Sequence, residues 1–288
     1  MPKNQHFPAI SILQENLVHT ASKLKSTQKY HKRQQKCYAY SMLQDNQTLQ
    51  YINTLSSKPD AFQTWLEETR LTIKKNFDNL ETLSCLVFNA NPCTLGHDYL
   101  ISLASKRSSA VVIFVIEGKP DSGCKGNHET KTIEIPFEDR VKLVQKTAEK
   151  YPNVLVLPAG PFLIGRNSFP QNWCQDWKAE EKGKAHLYAL LDAKLFFQAI
   201  APELGIKTRY VGDEPRDELS EMHLNALRQE SKNVKISLRV AERKRLGDKY
   251  ISSSMVREAL FQGDWETVRA TVSTCVFDYL KNFSESLS

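Results

Sequence analysis

The sequence has no C-x-x-C pair. Cys37, Cys85, Cys93, Cys124, Cys174 and Cys275 are scattered across 288 residues, and no secretory segment is legible at the start. Reduced thiols in a cytoplasmic setting are therefore expected. No apolar run approaches the length that spans a bilayer, so no membrane partner is expected either. Residues 81–288 also have almost no net charge, with 28 Lys plus Arg against 27 Asp plus Glu. Nucleic-acid binding by this part is disfavoured, because such binding leans on clustered positive charge.

What is there is ordinary for a folded protein: 41% hydrophobic and 25% charged residues, in a chain long enough for one large core with an appendage. The positive charge gathers in residues 1–80, which hold 11 Lys plus Arg against 6 Asp plus Glu. Ile10, Leu13, Leu17, Ala21 and Leu24 recur at helical spacing, and Lys23, Lys25, Lys29, Lys32, Arg33 and Lys36 crowd the same region. These lysines read either as a solvated face or as a contact for an acidic partner. Pro59-Asp60 then starts a second helix with the stripe Phe62, Trp65, Leu66, Ile73, Phe77 and Leu80, expected to pack on the main domain or on a second copy of the chain. The reading divides the chain into a basic helical extension over residues 1–80 and a catalytic domain over residues 81–288.

Five strand-like runs follow, at residues 83–88, 110–116, 154–157, 208–211 and 234–238, separated by segments long enough for crossover helices. This alternation predicts an α/β fold with a Rossmann-like parallel sheet, whose ligand lies at the carboxyl ends of the strands. The first run ends in Phe88-Asn89-Ala90-Asn91-Pro92-Cys93-Thr94-Leu95-Gly96-His97. Here a buried strand turns into an amphipathic helix, whose first N–H groups and dipole favour phosphate. Gly96 lets a ligand approach the backbone, and His97 offers an imidazole to a phosphoryl oxygen. Taken alone, Thr-x-Gly-His reads more often as a capped turn with an incidental His. Cys93 reads as a structural thiol rather than a nucleophile.

A second stretch, Tyr250-Ile251-Ser252-Ser253-Ser254-Met255-Val256-Arg257, again enters a helix with hydroxyls at its cap and an arginine one turn inside. With both motifs present, the sequence resembles the nucleotidylyltransferase superfamily and its (H/T)xGH and ISSTxxR signatures. Pro136-Phe137-Glu138-Asp139-Arg140, Phe169-Pro170, Ala201-Pro202-Glu203-Leu204-Gly205 and Val211-Gly212-Asp213-Glu214-Pro215 lie between them. In this order and spacing the whole set resembles citrate lyase ligase over about residues 82–283. That family usually carries an acetyltransferase-like domain ahead of the catalytic one, and residues 1–80 contain no acetyl-CoA-binding signature.

The resemblance implies an ATP-dependent, Mg2+-assisted ligase of the nucleotidylyltransferase type. Thr94, His97 and Arg257 are then the catalytic candidates. Asn89, Asn91, Gly96, Gly212, Asp213, Ile251, Ser252, Ser253 and Ser254 are the nucleotide-binding ones, with Ser252 to Ser254 cradling the β and γ phosphates. Arg140 reads as a substrate contact or as a salt bridge with Glu138 or Asp139. Arg166 belongs to the aromatic-rich stretch 160–177, which covers either an acyl substrate or the core beneath. Asp192 is implied to border the substrate pocket and hold the acceptor or the metal, against the alternative of a surface carboxylate, and no protein-held metal site is predicted. The implied partners are ATP, acetate and the acyl carrier subunit of citrate lyase. Two alternatives stand beside this reading. One is an adenylyltransferase for another carboxylate or a phosphate-terminated acceptor, and the other is a non-catalytic nucleotide-binding scaffold.

Overall fold

The computed structural model describes residues 60–117, 133–163, 179–213 and 218–287. The expectations for the basic helix, Phe169-Pro170, Arg166 and Glu214 fall wholly or mainly outside these residues. Five parallel strands form the sheet: β1 (Leu83–Phe88), β2 (Ala110–Val115), β3 (Val154–Pro158), β4 (Thr208–Gly212) and β5 (Ser237–Ala241). Their spatial order is β3-β2-β1-β4-β5. The chain builds outward from β1 to β3 and then returns to β4 on the other side, so the carboxyl ends of β1 and β4 flank the switch point where such sheets bind ligands. All six residues of β2 are buried, which is why its sequence is an unbroken apolar run without alternation.

Helices cover both faces. One face carries α1 (Ala61–Asn76), α4 (Ala179–Lys194), a π-helical turn at Leu195–Ile200, α5 (Ala201–Leu204) and α6 (Glu218–Ser231). The other carries α2 (Leu95–Ser105), α3 (Phe137–Ala148), α7 (Ser253–Gln262), α8 (Trp265–Thr271) and α9 (Thr274–Leu287). A two-stranded hairpin, β6 (Arg245–Leu246) with β7 (Lys249–Tyr250), leads into α7. Among the described residues no helix is long and apolar enough to cross a membrane.

The stripe on α1 packs on the sheet: Phe62, Leu66 and Ile73 are buried in one cluster with Cys85, Val112 and Phe114. Each such side chain contributes about 1.5–3 kcal/mol by leaving water. Trp65 joins them, 5.6 Å centroid to centroid from Phe162 and 6.1 Å from Phe114. Directly beneath it is Gly160, with φ +62° and room for no Cβ, which would sit 2.8 Å from Trp65 Nε1. The Trp65 ring is wedged among aromatic neighbours and cannot yield cheaply. Gly160→Ala is therefore expected to cost about 2–4 kcal/mol, combining left-handed backbone strain with overpacking, and to show as a lowered thermal midpoint.

One strand lies three residues beyond its expected place. Residues 234–238 read as the fifth strand, but β5 runs from Ser237 to Ala241, registered by Thr208 against Ser237. Ile236 is buried in the helical core and Val234 packs against it, so these apolar residues anchor the approach to the strand. β5 itself is an edge strand with an exposed-intermediate-exposed pattern, so its sequence lacks a buried strand's signature.

Candidate active site

The two phosphate motifs meet at the carboxyl end of β1. The Ser253 hydroxyl donates to the Pro92 carbonyl at 2.9 Å, and Arg257 Nη1 donates to the Asn91 carbonyl at 2.6 Å. Gly96 lies against Ile251: a Cβ there would stand 3.4 Å from the Ile251 carbonyl oxygen and 3.3 Å from Thr94 Oγ1. A side chain here would be tight, because the two motifs' backbones pass close to each other. The amino ends of α2 and α7 thus open onto one place, with N–H groups that no helix satisfies.

Within the first turn, the Thr94 N–H donates to His97 Nδ1 at 3.0 Å, and Thr94 Oγ1 is 2.9 Å from the same nitrogen. With Nδ1 accepting, the neutral ring carries its proton on Nε2, the nitrogen left to meet a ligand. The edge of Phe88 meets the imidazole at a centroid distance of 4.8 Å and fixes its plane. Thr94 is only 3% exposed. The expected direct phosphate contact of its hydroxyl therefore gives way, in this conformation, to a positioning contact with His97.

Burial, reinforced by the Arg243 charge, pulls the His97 pKa down to about 4. The ring is partly open to solvent, which moderates the effect without reversing it. The unfolded ring takes up a proton near pH 6.5 and the folded one only far below, so the stability tied to this site is complete above pH 6.5. It drains away as the pH falls toward about 4. We expect the His97 ring protons, followed by NMR in the free protein, to show no inflection near pH 6.5 and one well below pH 6. A normal inflection near 6.5 would contradict the assignment.

Arg140 is neither a substrate contact nor the salt-bridge partner of Glu138 or Asp139. It is 3% exposed and spends its guanidinium on backbone carbonyls, of Ile135 at 3.2 Å, Asn89 at 2.7 Å, Ile116 at 3.0 Å and Glu117 at 2.5 Å. A further bond reaches Asn89 Oδ1 at 2.7 Å, so the Asn89 side-chain oxygen is part of this clamp. Asn91 Oδ1 accepts from the Ile135 N–H at 3.1 Å and is similarly engaged. The clamp is why the loop after β1 holds its shape, including Ala90 at φ +50°.

The serine motif divides its tasks. Ser252 caps α7 by accepting from the Met255 N–H at 3.1 Å, Ser253 is tied to Pro92, and exposed Ser254 accepts from Arg257 Nη2 at 3.2 Å. The proton of Ser253 is thereby spent on the other motif in this conformation. Gly212 closes β4 opposite Ala241, where a Cβ would make only ordinary contact with Leu100 Cδ1 at 3.6 Å, and the Asp213 N–H continues the ladder to Ala241 O at 2.9 Å.

Asp192 is no surface carboxylate. It is 2% exposed and 2.7 Å from His223 Nε2, in the seam between α4 and α6. Nearby Arg209 is buried and lies over the Phe196 ring at 4.2 Å, its Nε and Nη1 making no hydrogen bond. His223 and Arg209 escaped the sequence reading because an isolated His on a helix and an Arg within a strand carry no spacing signal. Cys93 is buried and its pKa is pushed up to about 12, mainly by desolvation, so its thiol is inert. A groove of about 270 Å³ between α1 and α5, floored by Ile73, Leu80 and Leu204, lies at the amino end of the strands, away from both motifs. Among the described residues no group of three His, Cys, Asp or Glu side chains is placed to hold a metal.

The citrate lyase ligase C-terminal domain matches residues 83–280. The citrate (pro-3S)-lyase ligase of Escherichia coli strain K12 is 30% identical over 246 residues, covering 81% of this chain and 65% of the relative. That of Klebsiella pneumoniae is 28% identical over 208 residues, covering 71% of this chain and 56% of the relative. The chain thus spans between about half and two thirds of these relatives' length. Among solved structures, pantoate-beta-alanine ligase (pantothenate synthetase) from Thermus thermophilus is similar at 15% identity and a TM-score of 0.42, over 76% of this chain and 79% of that one.

Proposed function

This chain belongs to the citrate lyase ligase family, and from that premise we propose that it activates acetate with ATP and passes the acetyl group to a carrier-bound thiol. An acetate oxygen attacks the α-phosphorus, the bond to the bridging oxygen of pyrophosphate breaks, and acetyl-adenylate and pyrophosphate result. The thiol of the prosthetic group on the acyl carrier subunit of citrate lyase then attacks the acyl carbon, losing its proton to solvent and releasing AMP.

The observation that carries this reading is the joining of the two motifs at the carboxyl end of β1, through Ser253 to Pro92 and Arg257 to Asn91. Transfer of this kind asks little covalent chemistry of the protein, and positioning with charge stabilisation supplies most of the acceleration. His97 Nε2–H donates to a non-bridging oxygen of the α-phosphate, and Thr94 keeps that nitrogen protonated by occupying Nδ1. The free N–H groups of α2 and α7 receive phosphate oxygens, and Arg257 adds positive charge. Mg2+ bound with ATP would supply charge neutralisation at the phosphates.

Mixing the purified chain with ATP, Mg2+ and acetate tests the proposal. Pyrophosphate release that requires acetate, together with acetyl-adenylate trapped by hydroxylamine, is the expected result. ATP binding with no acetate-dependent release would reject acetate, and a panel of carboxylates and phosphate-terminated acceptors would then identify the substrate. Nucleotide binding without turnover on any acceptor would support the scaffold alternative.

A further inference from the structure

The helix that carries His97 is fastened along one side by a single turn. Residues 149–153 join α3 to β3, closed by the Tyr151 N–H on the Ala148 carbonyl at 2.8 Å and the Val154 N–H on the Tyr151 carbonyl at 3.2 Å. From this turn the Tyr151 hydroxyl donates to Asp98 Oδ1 at 2.9 Å, and Lys150 Nζ donates to Asp98 Oδ2 at 2.8 Å. Asn153 Nδ2 donates to the Ser105 and Ser108 carbonyls at 2.9 Å each, while its Oδ1 accepts from Ser105 Oγ at 2.6 Å. Asp98 and Ser105 stand about two turns apart on one face of α2. The first and last turns of the helix are thus held by different residues of the same connection.

Asp98 follows His97 directly, in the first turn of α2. The Thr94 contacts with His97 Nδ1 set the ring relative to its own turn, and they travel with the helix. Among the described residues, the hydrogen bonds that leave residues 94–98 for another element all run through Asp98. Consecutive side chains stand about 100° apart around a helix axis, so holding Asp98 against the α3–β3 turn also sets the direction of His97. Of the two partners of Asp98, Lys150 is 58% exposed, and an ion pair so open to water contributes little. Tyr151 is the stiffer one. Its ring packs against the apolar cluster that includes Ile101 and Ala104 of α2, which gives its hydroxyl a fixed place.

Resting on the nucleotidylyl-transfer reading, we propose that Tyr151 is a positioning residue for this reaction, latching Asp98 so that the first turn of α2 aims His97 Nε2–H at the α-phosphate. It acts through Asp98 and touches no reactant. Its contribution is geometric, since a misplacement on the order of 1 Å at the reacting atoms costs up to about 10²-fold in rate.

Acetate-dependent exchange between labelled pyrophosphate and ATP, together with NMR of the His97 ring protons in the free chain, tests the assignment. Tyr151→Phe keeps the ring and removes the hydroxyl. It is expected to lower the exchange rate at saturating ATP by about 10-fold, to leave the KM for ATP within about twofold, and to shift the His97 ring signals. Asp98→Ala reproduces the loss, Asp98→Asn recovers most of it by keeping an oxygen for the hydroxyl, and Tyr151→Phe combined with Asp98→Ala adds little further. Asn153→Ala frees the far end of α2 and lowers the thermal midpoint at least as much as Tyr151→Phe, yet keeps the exchange rate within about twofold of the parent. Either a parent-like exchange rate or unmoved His97 signals in Tyr151→Phe would overturn the assignment, as would an Asn153→Ala rate as low as that of Tyr151→Phe. Exchange absent from the unmodified chain would overturn the transfer reading, and the NMR comparison would still decide whether Tyr151 holds the His97 turn.

Discussion

Replacing His97 by alanine is expected to lower acetate-dependent pyrophosphate release by about 10²–10³-fold, equivalent to about 2.7–4 kcal/mol of transition-state stabilisation. Nε2–H acts here as one preorganised donor aimed at developing charge. The structure gives it the parts such a donor needs. Nδ1 is occupied by the Thr94 N–H at 3.0 Å, the ring plane is set by Phe88, and the ring stays neutral because its pKa is drawn to about 4. Because the donor is neutral, its hydrogen bond is present across the neutral pH range. His97→Asn supplies a shorter amide donor and should recover part of the loss. A His97→Ala protein that folds, binds ATP and releases pyrophosphate at the parent rate would remove His97 from the chemistry.

The second large effect is one of stability. Arg140→Ala strips hydrogen bonds from the carbonyls of Asn89, Ile116 and Ile135 and opens a buried space beside the β1 turn. Each buried acceptor left unpaired costs about 1–3 kcal/mol, and partial repair by water brings the expected total to about 3–5 kcal/mol. Arg140→Lys should recover little, because one ammonium cannot reach carbonyls spread around a planar fork. Chemical denaturation reads the loss directly. ATP affinity should fall in parallel, since the same carbonyls shape the loop that presents His97. A midpoint unchanged by Arg140→Ala would show that the clamp contributes nothing.

The strands that were easiest to read are those whose environment is uniform. β1 and β2 are buried on both faces, so continuous apolar runs located them, whereas β5 borrowed its apolar signal from residues that anchor its approach. The meeting of the two motifs was also legible, because both lie at strand-to-helix turns of one parallel sheet and topology brings them to one edge. What each side chain does there was not. Thr94, Asn89 and Ser253 belong to motifs that spell a phosphate site, yet their hydrogen bonds hold the turn and orient His97. A motif records the residues that a site requires without separating those that touch a ligand from those that fix the geometry. Arg140 illustrates the point: its acidic neighbours Glu138 and Asp139 suggested ion pairing, while most of its true partners are carbonyls 23 to 51 residues away along the chain.

Under the proposed function, the junction of the two motifs moves a nucleotidyl group reversibly from pyrophosphate to a carboxylate. Isotope exchange between labelled pyrophosphate and ATP, measured with Mg2+ in the presence and absence of acetate, tests it most directly because it needs no carrier protein. Exchange is expected to require acetate and to fall by at least about 10²-fold in His97→Ala. Exchange that proceeds equally without acetate, or that is untouched in His97→Ala, would contradict it.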